Sequence, residues 1–238
     1  MCVACREAGQ DRRKFLSLSA ASVAAAWLYS APRASAADAT TSVTADEALA
    51  KLKAGNEKYV SAPQVCAADL LAQRNQVAKG QTPWATILTC SDSRVPPELL
   101  FGGVGVGELF VARNAGNMAD TATMGTIEYG AAELGVPLIV VMGHERCGAV
   151  AAACAVVEKH AKFPGSIGPM VHAIVPAAKA VYRKPGDFLD NAVHESAKRT
   201  AGKIAAKSKI VSQLVKATKV KVVAAYYNLD DGRVEFLT

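Results

Sequence analysis

Trp84-Ala-Thr-Ile-Leu-Thr-Cys90-Ser-Asp92-Ser-Arg94 decides how the rest of the chain is read. A short apolar run, Ala85 to Leu88, leads into a cysteine, with an acid two residues on and an arginine four on. The run predicts a buried strand and the polar cluster its C-terminal tip. In open α/β sheets ligands bind outside that tip. A second tip answers it: Pro137-Leu-Ile-Val-Val-Met-Gly143-His144-Glu-Arg-Cys147-Gly148. If the two strands are neighbours in a parallel sheet, Cys90, His144 and Cys147 converge.

That trio suits Zn²⁺. Two thiolates and an imidazole match its preferences, and three protein ligands leave a fourth position open, as in catalytic sites. The His-x-x-Cys spacing alone is only moderately specific, because a buried cysteine is more often a small core hydrophobe. The neighbouring charges shift the balance. Asp92 and Arg94 gain little as packing and are costly to bury unpaired; paired beside a metal they have a purpose.

Cys90-Ser-Asp-Ser-Arg94-Val-Pro-Pro-Glu98 and Gly143-His-Glu-Arg-Cys147-Gly-Ala-Val150 resemble the two zinc-site motifs of the β-class carbonic anhydrases. The likeness runs in order from about Thr44 to the end. It takes in Gly55-Asn56, Glu108-Leu-Phe-Val-Ala-Arg113-Asn114-Ala-Gly-Asn117, Ile127-Glu-Tyr129 and Asp231-Gly-Arg-Val-Glu-Phe-Leu237.

The resemblance implies an α/β fold. It has a mostly parallel four-stranded sheet, an antiparallel C-terminal edge strand, flanking helices and an N-terminal helical arm laid over a partner subunit. It implies one Zn²⁺ per chain on Cys90, His144 and Cys147, and reversible hydration of CO₂ to bicarbonate and a proton. Asp92, paired with Arg94, would aim the attacking hydroxide. Gln81, nine residues before Cys90, Phe110, Tyr129 and the Gly148 N–H would contact the substrate. Without the resemblance Gln81 is only a turn residue, and Phe110 and Tyr129 are core aromatics. The assembly implied is a homodimer or a dimer of dimers. Relatives on the same fold hydrolyse carbon disulfide or carbonyl sulfide, and a non-catalytic zinc-binding relative is a further alternative.

The 238 residues are 51% hydrophobic, enough for one sizeable core. Of the +6 formal charge, half lies in the first 36 residues. The C-terminal lysines, Lys198 to Lys221, have no interleaved aromatics, so they predict solvated helix faces and not a nucleic-acid surface. Six scattered cysteines in a chain this long are no disulfide framework.

Residues 1–36 read as a targeting segment. Asp11-Arg12-Arg13-Lys14-Phe15-Leu16 is similar to a twin-arginine export signal, followed by a weak apolar stretch and an Ala34-Ser-Ala36 cleavage site. The apolar stretch is too short to span a bilayer, so an exported, periplasmic protein with no stable membrane association is expected. Residues 37–238 then form a single domain. The Cys2-x-x-Cys5 pair has no second pair near it and is read as chance.

Thr44-Ala-Asp-Glu47 is a capping box opening the first helix, and residues 67–78 suggest a second. The glycines at 102, 103, 105 and 107 run into a strand at Leu109–Ala112, which defeats a dinucleotide-loop reading. Helix is expected over Thr121–Leu134, and from Cys147 to about His160. A loop follows over 162–169, with two or three helices over 170–217 broken at Lys184-Pro185-Gly186. A strand over 221–227 turns into an edge strand over 233–237. His160, His172 and His194 read as surface histidines, and Cys154 as core.

Overall fold

The computed structural model describes residues 40–62 and 70–237. The targeting segment and the start of the expected second helix lie outside them. Among the described residues five strands form one sheet: β1 (Ala85–Cys90), β2 (Leu109–Asn114), β3 (Leu138–His144), β4 (Lys221–Tyr227) and β5 (Val234–Leu237). Their spatial order is β2-β1-β3-β4-β5. The first four are parallel, and β5 runs antiparallel to β4, as expected. β1 and β3 are hydrogen-bonded neighbours with Leu88 opposite Val141 and Thr89 opposite Met142. Their tips, Cys90 and His144, therefore end side by side. Both strands are buried along their whole length, so neither shows the regular apolar–polar alternation of a half-exposed strand. The two threonines of β1, Thr86 and Thr89, are buried too, and the Thr89 hydroxyl donates to Met142 O at 3.0 Å.

Each face of the sheet carries its own core. Leu88, Ile139, Val141 and Ala224 face one way, under α4 (Thr121–Ala132), α5 (Gly148–Lys159), α6 (Ile167–Val181), α7 (Phe188–Lys207) and α8 (Lys209–Lys216). Ile87, Leu138, Val140 and Met142 face the other, with Trp84 and α1 (Ala45–Ser61). The remaining helices among the described residues are α2 (Leu70–Val77) and α3 (Pro97–Leu100).

α1 begins at the expected capping box, with Thr44 and Glu47 each satisfying the other's backbone N–H. It is more than an arm. Ala48 and Leu52, one turn apart, are fully buried against the body of their own chain. Asn56 donates to Leu100 O at 3.1 Å and Gly232 O at 2.9 Å, and accepts from Val234 N at 2.8 Å. Gly55 makes this approach possible, since a Cβ there would lie 2.1 Å from the Phe101 carbonyl oxygen.

Three expectations shift by small amounts. The Pro96-Pro97 pair does stop a helix running on from Arg94, but Pro97 itself starts the single turn of α3, a position proline favours. α6 starts at Ile167, inside the expected loop, with Pro169 tolerated in its first turn. Residues 170–217 hold the rest of α6 with α7 and α8, broken before α7 as the Pro185-Gly186 pair predicts.

Candidate metal centre and active site

Cys90 is the last residue of β1, His144 the last of β3, and Cys147 the N-cap of α5. All three are buried, and their ligand atoms lie within 4.8 Å of one another. The two sulfurs are 4.0 Å apart. The His144 ring places Nδ1 2.9 Å from Glu145 O. A carbonyl oxygen only accepts, so Nδ1 carries the proton and Nε2 is left with its lone pair. That Nε2 is buried and has no hydrogen-bond partner among the described residues. An unmet polar atom in such a place is expensive; a cation in the cleft between the two sulfurs would satisfy it.

The thiols point the same way. A shared proton with Cys147 holds the Cys90 thiol well below its ordinary range, while that same bond, and then burial, pushes Cys147 up. The shared proton thus favours a negative charge on Cys90 and opposes a second one on Cys147. Helix α5 assists, because the Ala149 and Val150 N–H groups favour the Cys147 thiolate. On the other side Gly116 N–H donates to Cys90 Sγ at 3.5 Å. Gly116 has φ +82°, and a Cβ there would meet Ile174 Cδ1 at 2.5 Å, so only glycine presents its N–H in this way. Two thiolates and a neutral imidazole are the donors of a zinc site.

Asp92 and Arg94 sit at its mouth. Arg94 Nε donates to Asp92 Oδ1 at 2.9 Å, Nη2 to Oδ2 at 2.8 Å, and the Arg94 backbone N–H to Oδ1 at 3.0 Å. This fork holds the Asp92 carboxyl far below the usual carboxylate range. Asp92 Oδ2 is 3.8 Å from His144 Nε2, so it borders the space that the three ligand atoms share.

With this geometry in place, the comparisons with known proteins are decisive. Residues 85–234 match the sequence family described as carbonic anhydrase. Carbonic anhydrase 2 of Mycobacterium tuberculosis is 37% identical over 187 residues, 76% of this chain and 87% of that one. The chain belongs to the β class of the carbonic anhydrase family. The carbonic anhydrase of Mycolicibacterium smegmatis is 34% identical over 185 residues, 77% of this chain and 89% of that one. Among solved structures, the tetrameric β-carbonic anhydrases of Sordaria macrospora share the fold. The TM-score is 0.62 at 22% identity, covering 81% of this chain and 95% of that one.

In this β-carbonic anhydrase, Arg113 has a part that its sequence position did not reveal. From the edge strand β2, its Nε donates to Cys90 O at 3.0 Å and its Nη2 to Asp92 O at 2.7 Å. It braces the loop that carries both Cys90 and the acid. The signal in sequence was only a cation near the end of a predicted strand. Asn114 does similar work one residue on, tying Met118 through its N–H and carbonyl at 2.8 and 2.7 Å and so shaping the turn that offers Gly116.

The chain brings Cys90, Asp92, Arg94, His144, Cys147 and Gly148 together. It does not bring Gln81, Phe110 or Tyr129 to them. Thr82 N and Trp84 N bond to Gly107 O and Glu108 O, ahead of β2. Gln81 therefore lies at the N-terminal edge of the sheet, a whole strand from Cys90, about 17 Å at the usual rise per residue. Phe110 stands opposite Thr86, near the start of β1. Its ring is 6.2 Å from that of Tyr129, which is 48% exposed. Nine residues of separation hid this distance because most of them form an extended strand.

His194, expected as a surface histidine, is partly exposed. It stacks on Tyr226 with ring centres 4.0 Å apart. Cys154 is core, as expected, and burial pushes its thiol up to about 11.

Proposed function

We propose that this chain catalyses the zinc-dependent, reversible hydration of CO₂ to bicarbonate and a proton. Cys90, His144 and Cys147 hold one Zn²⁺, and Asp92 and Arg94 act on the attacking water. The observation that carries this reading is the forked Asp92–Arg94 pair, with Asp92 Oδ2 3.8 Å from the unpartnered Nε2 of His144.

The bound metal supplies acidity, bringing hydroxide within reach at moderate pH. Asp92 Oδ2, kept ionised by the Arg94 fork, accepts the hydrogen of the attacking oxygen and so turns a lone pair toward the substrate carbon. Gly148, in the first turn of α5, offers an N–H with no acceptor in its own helix. That donor and the helix dipole favour the negative charge that grows on the substrate oxygens.

Gln81, Phe110 and Tyr129 complete the substrate pocket from a second copy. The support is their placement: remote from their own metal centre, flanking the edge strand β2, with Tyr129 exposed. In a two-fold dimer each copy lends the same patch to the other. A homodimer, or a dimer of dimers, is the assembly this reading requires. Residues 1–36 direct twin-arginine export to the periplasm and are removed near Ala36. No described helix is long and apolar enough to cross a membrane.

The test is stopped-flow CO₂ hydration by purified, zinc-quantified protein, with Asp92→Ala beside it. Fast turnover that needs one zinc per chain and collapses in the variant supports the proposal. Bound zinc without hydration overturns it and directs the assay to carbon disulfide and carbonyl sulfide.

A further inference from the structure

Only two residues separate His144 from Cys147, and the second of them is held in an unusual shape. Arg146 has φ +52°, in the left-handed region that non-glycine residues seldom take. The loop turns there and sets the Cys147 sulfur 4.0 Å from that of Cys90. Glycine adopts this conformation freely, yet the position holds a long cation.

The guanidinium reaches out of the loop to the turn between β4 and β5. Nη1 donates to Asp230 Oδ2 at 2.9 Å and Nη2 to Asp230 Oδ1 at 2.6 Å. Nη1 also donates to Glu145 Oε1 at 2.9 Å. Glu145 is tied to the same stretch of chain twice more. Its N–H donates to Tyr227 O at 2.8 Å, and its Oε2 accepts from Leu229 N at 3.0 Å. The carbonyl of Glu145 is the group that orients the His144 ring. The ring that aims Nε2 into the cleft therefore hangs from a residue anchored to a turn 84 positions away in sequence.

We propose that Arg146 and Asp230 are positioning residues of the metal centre. Their paired bonds hold the Glu145–Arg146 link in its left-handed turn and keep His144 Nε2 and Cys147 Sγ facing Cys90. The inference rests on the reading of Cys90, His144 and Cys147 as zinc ligands. A residue stays in a sparse backbone region only when its surroundings over-determine it, and the forked bond to Asp230 provides that. Both side chains are close to half exposed or more, so the pair acts through its two-point geometry more than through bare charge.

The experiment is competition for Zn²⁺ between the full-length, reduced chain and a chromophoric chelator, with Cys90→Ser measuring zinc held elsewhere. Asp230→Asn cuts the clamp and leaves the backbone residue in place. Arg146→Gly cuts it and relieves the backbone. Asp46→Asn removes a comparable exposed bridge, to Lys221 at the other end of β4.

Loss of an outer partner typically weakens metal binding 10–100-fold, and exposure places this clamp near the lower figure. Asp230→Asn and Arg146→Gly should each weaken zinc binding about tenfold and change the visible spectrum of the cobalt-loaded chain. Asp46→Asn should do neither. Wild-type zinc affinity in both clamp variants overturns the proposal, as does lower stability of the metal-free chain with zinc affinity unchanged. If the wild type holds no more zinc than Cys90→Ser, the metal reading falls and the proposal with it.

Discussion

Asp92 Oδ2 stands 3.8 Å from His144 Nε2 while both Asp92 oxygens remain gripped by Arg94. The acid thus sits beside the Cys90–His144–Cys147 cluster without occupying the space that its three ligand-capable atoms share. It is free to accept a hydrogen there, and Arg94 decides where its oxygens point.

Asp92→Asn should therefore retain zinc and lose turnover. An asparagine keeps the shape but has no charge, and its NH₂ would face a position that calls for an acceptor. Loss of a positioned proton acceptor costs roughly 100- to 10,000-fold in rate. Arg94→Lys keeps a charge but loses the fork, so its loss should be smaller. Stopped-flow hydration with zinc analysis on the same samples separates chemistry from metal loss.

The unpartnered His144 Nε2 gives different predictions for the two metal states. Without zinc, His144→Leu removes a buried unsatisfied atom that costs about 1–3 kcal/mol, but it also takes the Nδ1–H donor away from Glu145 O. The two effects oppose each other, so the metal-free variant should lie close to metal-free wild type in stability. With zinc the wild type should be clearly the more stable, because it gains the binding energy on folding. Urea melts with chelator and with zinc give both comparisons.

Two pH dependences follow from the charges. Arg94 depresses the folded-state pKa of Asp92, so the stability it lends is present above the unfolded carboxylate value of about 4. It is lost as pH falls from there through the folded pKa. The stability difference between wild type and Asp92→Asn should accordingly shrink below about pH 4. For activity, two thiolates offset the zinc charge, so water is acidified less than in three-histidine sites, where its pKa is about 7. Turnover should rise through the alkaline range, and a profile flat from neutral upward would sink this account.

A pocket shared between copies should show complementation. Gln81→Ala and Cys90→Ser homodimers should each be nearly inactive. Dimers formed from one copy of each hold one intact site, built from the ligands of the first copy and Gln81 of the second. Mixing and refolding should restore about a quarter of wild-type turnover if copies pair at random and dimers are closed by two-fold symmetry. No recovery in mixed dimers isolated by two affinity tags would place Gln81 outside the neighbouring site.

Export should depend on the arginine pair. A fusion of residues 1–40 to a reporter that is active only after folding in the cytosol should reach the periplasm, and Arg12→Lys with Arg13→Lys should retain it. Export of the fusion in cells lacking the twin-arginine system would show another route.

Much of this protein was determined by its linear sequence. Short, mostly apolar runs of strand length marked β1 and β3, because residues enclosed on both faces of a sheet must suit a core. Thr44 and Glu47 marked the start of α1, because a helix leaves its first donors unmet. The Cys90–His144–Cys147 cluster and the Asp92–Arg94 pair were legible because they lie at strand tips in short local motifs.

The tertiary structure decided the rest, where partners are far apart in sequence. Arg113 reaches from β2 to Cys90 and Asp92 at the end of the neighbouring strand β1, and Asp230 reaches Arg146 across 84 residues. No local pattern records either bond. Gln81, close to Cys90 in sequence, is set apart from it by the full length of β1. A strand moves its ends apart by about 3.3 Å per residue, whereas a sheet can join residues from any two strands. In this chain nearness in sequence fails for Gln81, and distance in sequence conceals the clamp.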